Sequence, residues 1–183
     1  MTQAESYSHM LAATSDAMVF AAAAHRDQTR KYTGEPYLFH CAEVAGMLGG
    51  LGCCLDTVKA AWLHDVLEDC DVKYEQLVAE FGTHVANLVW WVTNQSKPED
   101  GNRATRKAID CQHLAAAPAE AQTIKLADLI SNTSSIVEHD PGFAKVYLKE
   151  KRELLEVLTR GHPRLHAEAT KILEQAEKEL GQC

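Results

Sequence analysis

The stretch AAWLHDVLEDCD, residues 60–71, sets a histidine and several carboxylates inside one of the most apolar runs of the chain. Read as a helix, it stacks His64 with Glu68 and Asp65 with Asp69, each pair four positions apart. Leu63 and Leu67 flank this polar strip on one side, Trp62 and Val66 on the other. An ionised carboxylate removed from water costs several kcal/mol unless a counter-charge or hydrogen-bond donors compensate. No Lys or Arg lies between Lys59 and Lys73, so compensation has to come from elsewhere in the chain. A solvated polar stripe on an amphipathic helix is the commoner reading of such a pattern. A metal ion is the sharper one, and it requires ligands from other segments.

Two other segments share the anomaly. PYLFHCAEVAGML carries His40 near the start of a helix whose apolar face is Leu38, Ala42, Ala45 and Leu48. QTIKLADLISNT surrounds Asp128 with Ile124, Leu126, Ala127, Leu129 and Ile130. A single histidine in such a setting is more often a core residue than a ligand, but three anomalies of one kind suggest one shared solution. His40, His64, Asp65 and Asp128 offer two imidazoles and two carboxylates. That nitrogen-and-oxygen set suits manganese, iron or zinc better than a thiolate site would. A metal ion can lower the pKa of bound water from ~15.7 toward ~7. A carboxylate one helical turn past the ligand pair, Glu68 or Asp69, can orient that water or take its proton. Such assistance contributes roughly 10²–10⁴-fold.

The elements that must position these residues are helical. Met10 to His25 puts Met10, Thr14, Ala17, Met18 and Ala21 on one face. RKYTGEP breaks that pattern, and Pro36 suits the first turn of a second helix ending near Gly49-Gly50. Asp56 is the expected N-cap of the helix carrying WLHDVLED. Lys73 to Phe81 predicts a short helix closed by Gly82, and VANLVWWVT a buried helix with Trp90 and Trp91 in the core. QSKPEDGN is a loop. Helices are expected over Asn102 to Ala116, from Pro118 to the stop at Asp140-Pro141-Gly142, over Phe143–Leu158 and over Pro163–Leu180. The fold class expected is all-α, with residues 1–183 as a single domain.

At 183 residues, 46% hydrophobic and 24% charged, the composition is that of an ordinary globular chain. MTQAESYSHM lacks the layout of a signal peptide, and no apolar run approaches membrane-spanning length, so a cytoplasmic protein is expected. A net charge of -8 argues against duplex nucleic acid as a partner, which depends on phosphate neutralisation. The six cysteines form no CxxC pair, so neither a zinc ribbon nor a disulfide framework is expected. Arg26, Arg30 and Lys31 are local candidates for holding an anion. For Arg103, Arg106 and Lys107 a solvated helix face is at least as good an account as phosphate contact.

The order H…HD…D resembles the HD superfamily of metal-dependent phosphohydrolases. AAAAHRDQTRKYTGEPYLFH, AAWLHDVLEDC and IKLADLISNT are similar to the three signature blocks of the hydrolase domain in Rel/Spo homologues, specifically the small alarmone hydrolases. The resemblance covers about residues 15–150. It implies an all-helical, manganese-binding enzyme that removes pyrophosphate from the 3′ position of hyperphosphorylated purine nucleotides. Long Rel/Spo homologues also carry a synthetase domain, which 183 residues are not expected to accommodate.

Carried over by the resemblance, His40, His64, Asp65 and Asp128 are the metal ligands, and Glu68 and Asp69 position and deprotonate the attacking water. Arg30 and Lys31 meet the nucleotide, Asn132 lies near the ribose, and Tyr147 contacts the nucleotide. The family often has a basic residue after the last metal aspartate, where this chain has Leu129, and a histidine or tyrosine where it has Ser131. Both departures bear on the base, so (p)ppGpp and (p)ppApp stand as equal candidates. Another HD phosphohydrolase acting on nucleotides and a non-catalytic alarmone-binding module are the alternatives. The C-terminal helix is expected to be a covering element or the contact of a homo-oligomer.

Overall fold

The computed structural model describes residues 9–133 and 136–182. Among these residues the regular structure is helical, with an isolated bridge between Thr29 and Pro36, so the all-α expectation holds. The chain divides into two units, with the boundary between Thr93 and Asn94.

In the first unit a helical segment at 9–13 leads into α1 (Ser15–Ala24), followed by α2 (Leu38–Gly50), α3 (Leu55–Trp62), α4 (Val66–Asp69) and α5 (Tyr74–Val92). Helix α3 packs against α1, α2 and α5. Small side chains allow the close approach: Ala17, Ala21, Ala45, Ala60, Ala61 and Ala86 are buried. Val44, Leu48, Val58, Leu77, Val85 and Leu88 fill the remaining core. Between α1 and α2 the chain folds back as a short hairpin. The Arg30 N–H donates to Glu35 O at 2.8 Å, and the Tyr37 N–H to Gln28 O at 3.0 Å. Gly34 supplies the positive φ of 72° at its tip.

WLHDVLED is not one helix. Helix α3 ends at Trp62, a turn spans Leu63 to Asp65, and α4 starts at Val66. The Leu63 N–H points to the carbonyls of both Lys59 and Ala60, each at 3.2 Å, as in the tightened last turn of a helix. Asp56 lies within the first turn of α3, and the cap position belongs to Cys54. The two helices expected on either side of Gly82 are present, but as one element, α5, kinked at that glycine. Trp90 is 39% exposed rather than in the core, with its ring edge-on to Trp91.

The second unit comprises a 3-10 turn (Pro98–Asp100), α6 (Arg103–Ala116), α7 (Ala119–Thr133), α8 (Ile136–His139), α9 (Pro141–Val157) and α10 (Pro163–Leu180). Asn102 caps α6 by accepting the Thr105 N–H at 3.0 Å. Asp140 caps α9 by accepting the Phe143 N–H at 3.1 Å, so Asp140-Pro141-Gly142, expected as a stop, both follows the end of α8 at His139 and opens α9. Helix α7 packs on α9 and α10, and every residue from Ala121 to Ser131 is buried. Its polar side chains are satisfied. The Gln122 amide donates to Leu114 O at 2.9 Å and accepts the Arg160 N–H at 2.8 Å. Thr123 Oγ1 accepts the His162 N–H at 3.0 Å. These bonds hold the turn before α10 against α7, where a Cβ on Gly161 would meet Leu126 Cδ1 at 2.5 Å.

Gly82 adopts φ 84° and ψ 163°, a region that side chains essentially do not enter. Gly82→Ala should therefore lower the unfolding free energy by about 1–3 kcal/mol in urea titrations. Gly50 has equally open surroundings but no positive φ, so Gly50→Ala should be neutral or slightly stabilising. Equal effects of the two substitutions would remove the backbone explanation.

Candidate metal centre and its surroundings

Helix α2 and the turn after α3 bring His40, His64 and Asp65 together. Their donor atoms lie within 4.8 Å of one another. His40 Nε2 is 3.1 Å from His64 Nε2, and Asp65 Oδ2 is 2.9 Å from His64 Nε2 and 3.5 Å from His40 Nε2. The break in the helix makes this arrangement available. On an unbroken helix sequence neighbours diverge by about 100° and do not face one another. In the turn, adjacent His64 and Asp65 serve one point.

Hydrogen bonding fixes what these atoms present. His64 Nδ1 lies 2.8 Å from the Ala61 carbonyl, which can only accept, so Nδ1 carries the proton and neutral His64 exposes a lone pair at Nε2. That lone pair faces a second imidazole nitrogen and a carboxylate oxygen. Both imidazole side chains are 1% exposed. Neutral Nε2 donors beside a carboxylate are the set that a divalent cation takes. The three residues fit such an ion. Tyr37 Oη donates to Asp65 Oδ2 at 2.7 Å, orienting the carboxylate from outside, as partners of metal ligands commonly do.

Glu68 and Asp69 follow on α4. Their N–H groups donate to Asp65 O at 3.1 and 2.8 Å, and both side chains are exposed. Gln28 Nε2 donates to Asp69 Oδ2 at 3.1 Å. Arg30 and Lys31 lie on the hairpin that also carries Gln28. Arg30 pairs with Glu43 at 3.8 Å, and Lys31 Nζ donates to Tyr32 Oη at 3.1 Å.

In the second unit Asp128 is 4% exposed, which matches the apolar setting read from its neighbours. Lys125 Nζ contacts its Oδ2 at 2.8 Å, and the Asn132 amide donates to its Oδ1. Tyr147 Oη is 3.4 Å from Thr133 Oγ1, and the Tyr147 ring faces the Lys151 ammonium at 5.0 Å. Burial, together with the charge of Lys125, pushes the Lys151 pKa down to about 8. Leu129 and Ser131 are buried. The basic residues after the loop serve local structure. Arg103 makes two bonds to Glu150, at 2.6 and 2.8 Å, the Arg106 guanidinium donates to Gly101 O, and Lys107 lies 3.7 Å from Asp110.

Sequence reasoning missed Tyr37, Gln28, His25 and Lys125. Tyr37 and Lys125 each precede a candidate ligand by three positions, a helical-neighbour spacing that could have flagged them. His25 and Gln28 meet Cys70 and Asp69 only through the hairpin fold, which no local periodicity encodes.

A profile of the HD domain family matches residues 17–154. The chain is 36% identical over 140 residues to a probable chloroplastic GTP diphosphokinase of Arabidopsis thaliana, covering 74% of this chain and 20% of that protein. It is 35% identical over 166 residues to a guanosine-3′,5′-bis(diphosphate) 3′-pyrophosphohydrolase of Vibrio cholerae, covering 89% of this chain and 23% of that protein. The chain thus spans about a fifth of the length of these curated relatives. A solved structure described as "A metazoan ortholog of SpoT hydrolyzes ppGpp and plays a role in starvation responses" is similar at a TM-score of 0.79 and 27% identity, covering 90% of this chain and 95% of that one. With the match running from α1 into α9 and taking in His40, His64, Asp65 and Asp128, the chain belongs to the HD domain family.

Proposed function

We propose that this chain is a divalent-metal-dependent hydrolase that removes the 3′-diphosphate of a hyperphosphorylated purine nucleotide as pyrophosphate. The observation that carries the reading is the cluster of His40, His64 and Asp65, whose imidazole and carboxylate donor atoms converge within 4.8 Å and suit a divalent cation. The names of the Vibrio cholerae relative and of the similar solved structure support the substrate class. His40, His64 and Asp65 would hold the ion, and Asp128 is proposed as a fourth ligand on the resemblance. Manganese is the proposed ion. A bound divalent ion supplies Lewis acidity, which makes water a competent nucleophile near neutral pH.

The chain's own side chains would do the remaining work. Glu68 and Asp69 orient the water and accept its proton. As water oxygen bonds to the phosphorus, the bond from that phosphorus to the 3′-oxygen breaks, and the 3′-oxygen takes up a proton to become a hydroxyl. Arg30 and Lys31 would engage the nucleotide, leaving their Glu43 and Tyr32 contacts for it, with Asn132 near the ribose and Tyr147 against the nucleotide. Leu129 and Ser131 stand where charged or aromatic groups often stand in the family, and a site with fewer polar contacts discriminates less between bases. We therefore propose (p)ppGpp and (p)ppApp as substrates of equal standing. A cytoplasmic setting is proposed as well. Among the described residues no helix is long and apolar enough to cross a membrane.

Stripping divalent ions should abolish turnover, and Mn²⁺ should restore it. His64→Ala should lose Mn²⁺ binding in calorimetry, and Asp128→Ala should weaken it. Activity persisting in thoroughly stripped protein would sink the metal reading.

Glu68→Gln and Asp69→Asn should keep Mn²⁺ while turnover falls by roughly 10²–10⁴-fold. Loss of metal in either variant would make that residue a ligand support.

A matched panel of ppGpp, pppGpp, ppApp and pppApp with Mn²⁺, resolved by chromatography, should release pyrophosphate and leave a 3′-hydroxyl nucleotide. Turnover of deoxynucleotides or monophosphates in their place would assign a different HD phosphohydrolase activity. Tight binding without turnover would assign a sensor module.

A further inference from the structure

A carboxylate can only accept, so the Gln28 atom 3.1 Å from Asp69 Oδ2 must be the amide nitrogen. The amide oxygen then faces His25 Nδ1 at 2.7 Å, and because that oxygen is an acceptor the imidazole must present its proton there. Each link sets the next: His25 Nδ1–H to Gln28 oxygen, Gln28 nitrogen to Asp69. The chain is anchored at its inner end. His25 is 3% exposed, its ring lies 4.8 Å from that of Tyr37, and Cys70 Sγ sits 3.3 Å from Nδ1. At the outer end, Asp69 is an exposed carboxylate on a helix of four residues, with little else to select its rotamer.

We infer that Gln28 is a positioning residue that fixes the Asp69 carboxylate, with the buried His25 imidazole setting the direction of its amide. The inference rests on the proposed role of Asp69 in serving the attacking water. The same hairpin carries Tyr37, which holds Asp65 through its phenol at 2.7 Å. One loop thereby orients a carboxylate of the metal cluster and a carboxylate that handles the water. Holding a group in its reacting geometry ahead of the reaction removes an ordering cost from the barrier, so loss of Gln28 should appear in kcat and not in KM.

The test uses the full chain and reads two things. In ¹⁵N-labelled protein, the Gln28 side-chain amide signal, assigned by its absence in Gln28→Met, should move on Asp69→Asn substitution. In steady-state kinetics with Mn²⁺ and the alarmone hydrolysed fastest, Gln28→Met should lower kcat by about 10- to 100-fold. KM and Mn²⁺ affinity should stay as in the parent, while Tm falls modestly because the buried His25 N–H loses its acceptor. Gln28→Glu keeps the reach but sets a like charge against Asp69, so it should fall at least as far. The double variant Gln28→Met with Asp69→Asn should be no slower than Asp69→Asn alone, because one residue acts through the other. An amide signal indifferent to Asp69→Asn, additive kinetic losses, or full turnover in Gln28→Glu would each overturn the inference. If Asp69→Asn itself keeps full turnover, the proposed role of Asp69 fails, and the positioning role of Gln28 fails with it. In that case the amide signal still reports whether the hydrogen bond exists.

Discussion

Two buried imidazole nitrogens 3.1 Å apart, with a carboxylate oxygen 2.9 Å from one of them, are a concentration of negative electron density that apolar surroundings do not tolerate alone. The hydrogen bond from His64 Nδ1 to the Ala61 carbonyl commits the His64 proton to the far side of the ring and leaves Nε2 as an acceptor within this group. The neighbouring elements are arranged around this constraint. Helix α3 stops one residue short of Leu63, α4 restarts just after Asp65, and α2 presents His40 from its first turn.

The alanine content of the first unit makes that arrangement feasible. Helices faced with Ala17, Ala21, Ala45 and Ala61 approach more closely than leucine-faced ones, and close approach lets His40 reach His64 across adjacent helices. In the second unit the logic differs. Helix α7 is buried along most of its length, so each polar side chain it carries has a designated partner: Gln122 with Leu114 and Arg160, Thr123 with His162, Asp128 with Lys125 and Asn132. A buried aspartate with a lysine one turn away is compensated within its own helix, whereas Asp65 depends on Tyr37, twenty-eight positions back.

Much of this was legible in the sequence where local chemistry decides. The helix beginning at about Asn102, Pro163 opening α10 and Gly82 marking the end of a helical run all follow from backbone preferences within a few residues. The candidate ligands were legible as polar residues in apolar surroundings, and His40, His64 and Asp65 do meet. The turn at Leu63 to Asp65 was not legible, because apolar spacing runs through it unbroken while a side-chain hydrogen bond interrupts the helix. Asp140-Pro141-Gly142 marks the stop after His139, and the same residues are also good starters, with a capping carboxylate and a proline in the first turn of α9. The apolar run VANLVWWVT points to a buried helix, but it gives no information about which face of α5 is covered, and Trp90 lies on the exposed one.

The hairpin between α1 and α2 has a thermodynamic consequence. Within a few residues it carries Arg30 and Lys31, cationic groups on its surface, and Gln28 and Tyr37, which grip Asp69 and Asp65 beneath it. Its two arms are joined by the Arg30–Glu35 and Tyr37–Gln28 backbone bonds. An anion that displaced Arg30 would act on the same hairpin that carries the Tyr37 phenol and the Gln28 amide. If the unit takes up both an anion and a cation, their binding would be coupled through this hairpin, and linkage requires such coupling to be equal in both directions. An anion that tightens the grip on the cation is itself held more tightly once the cation is in place.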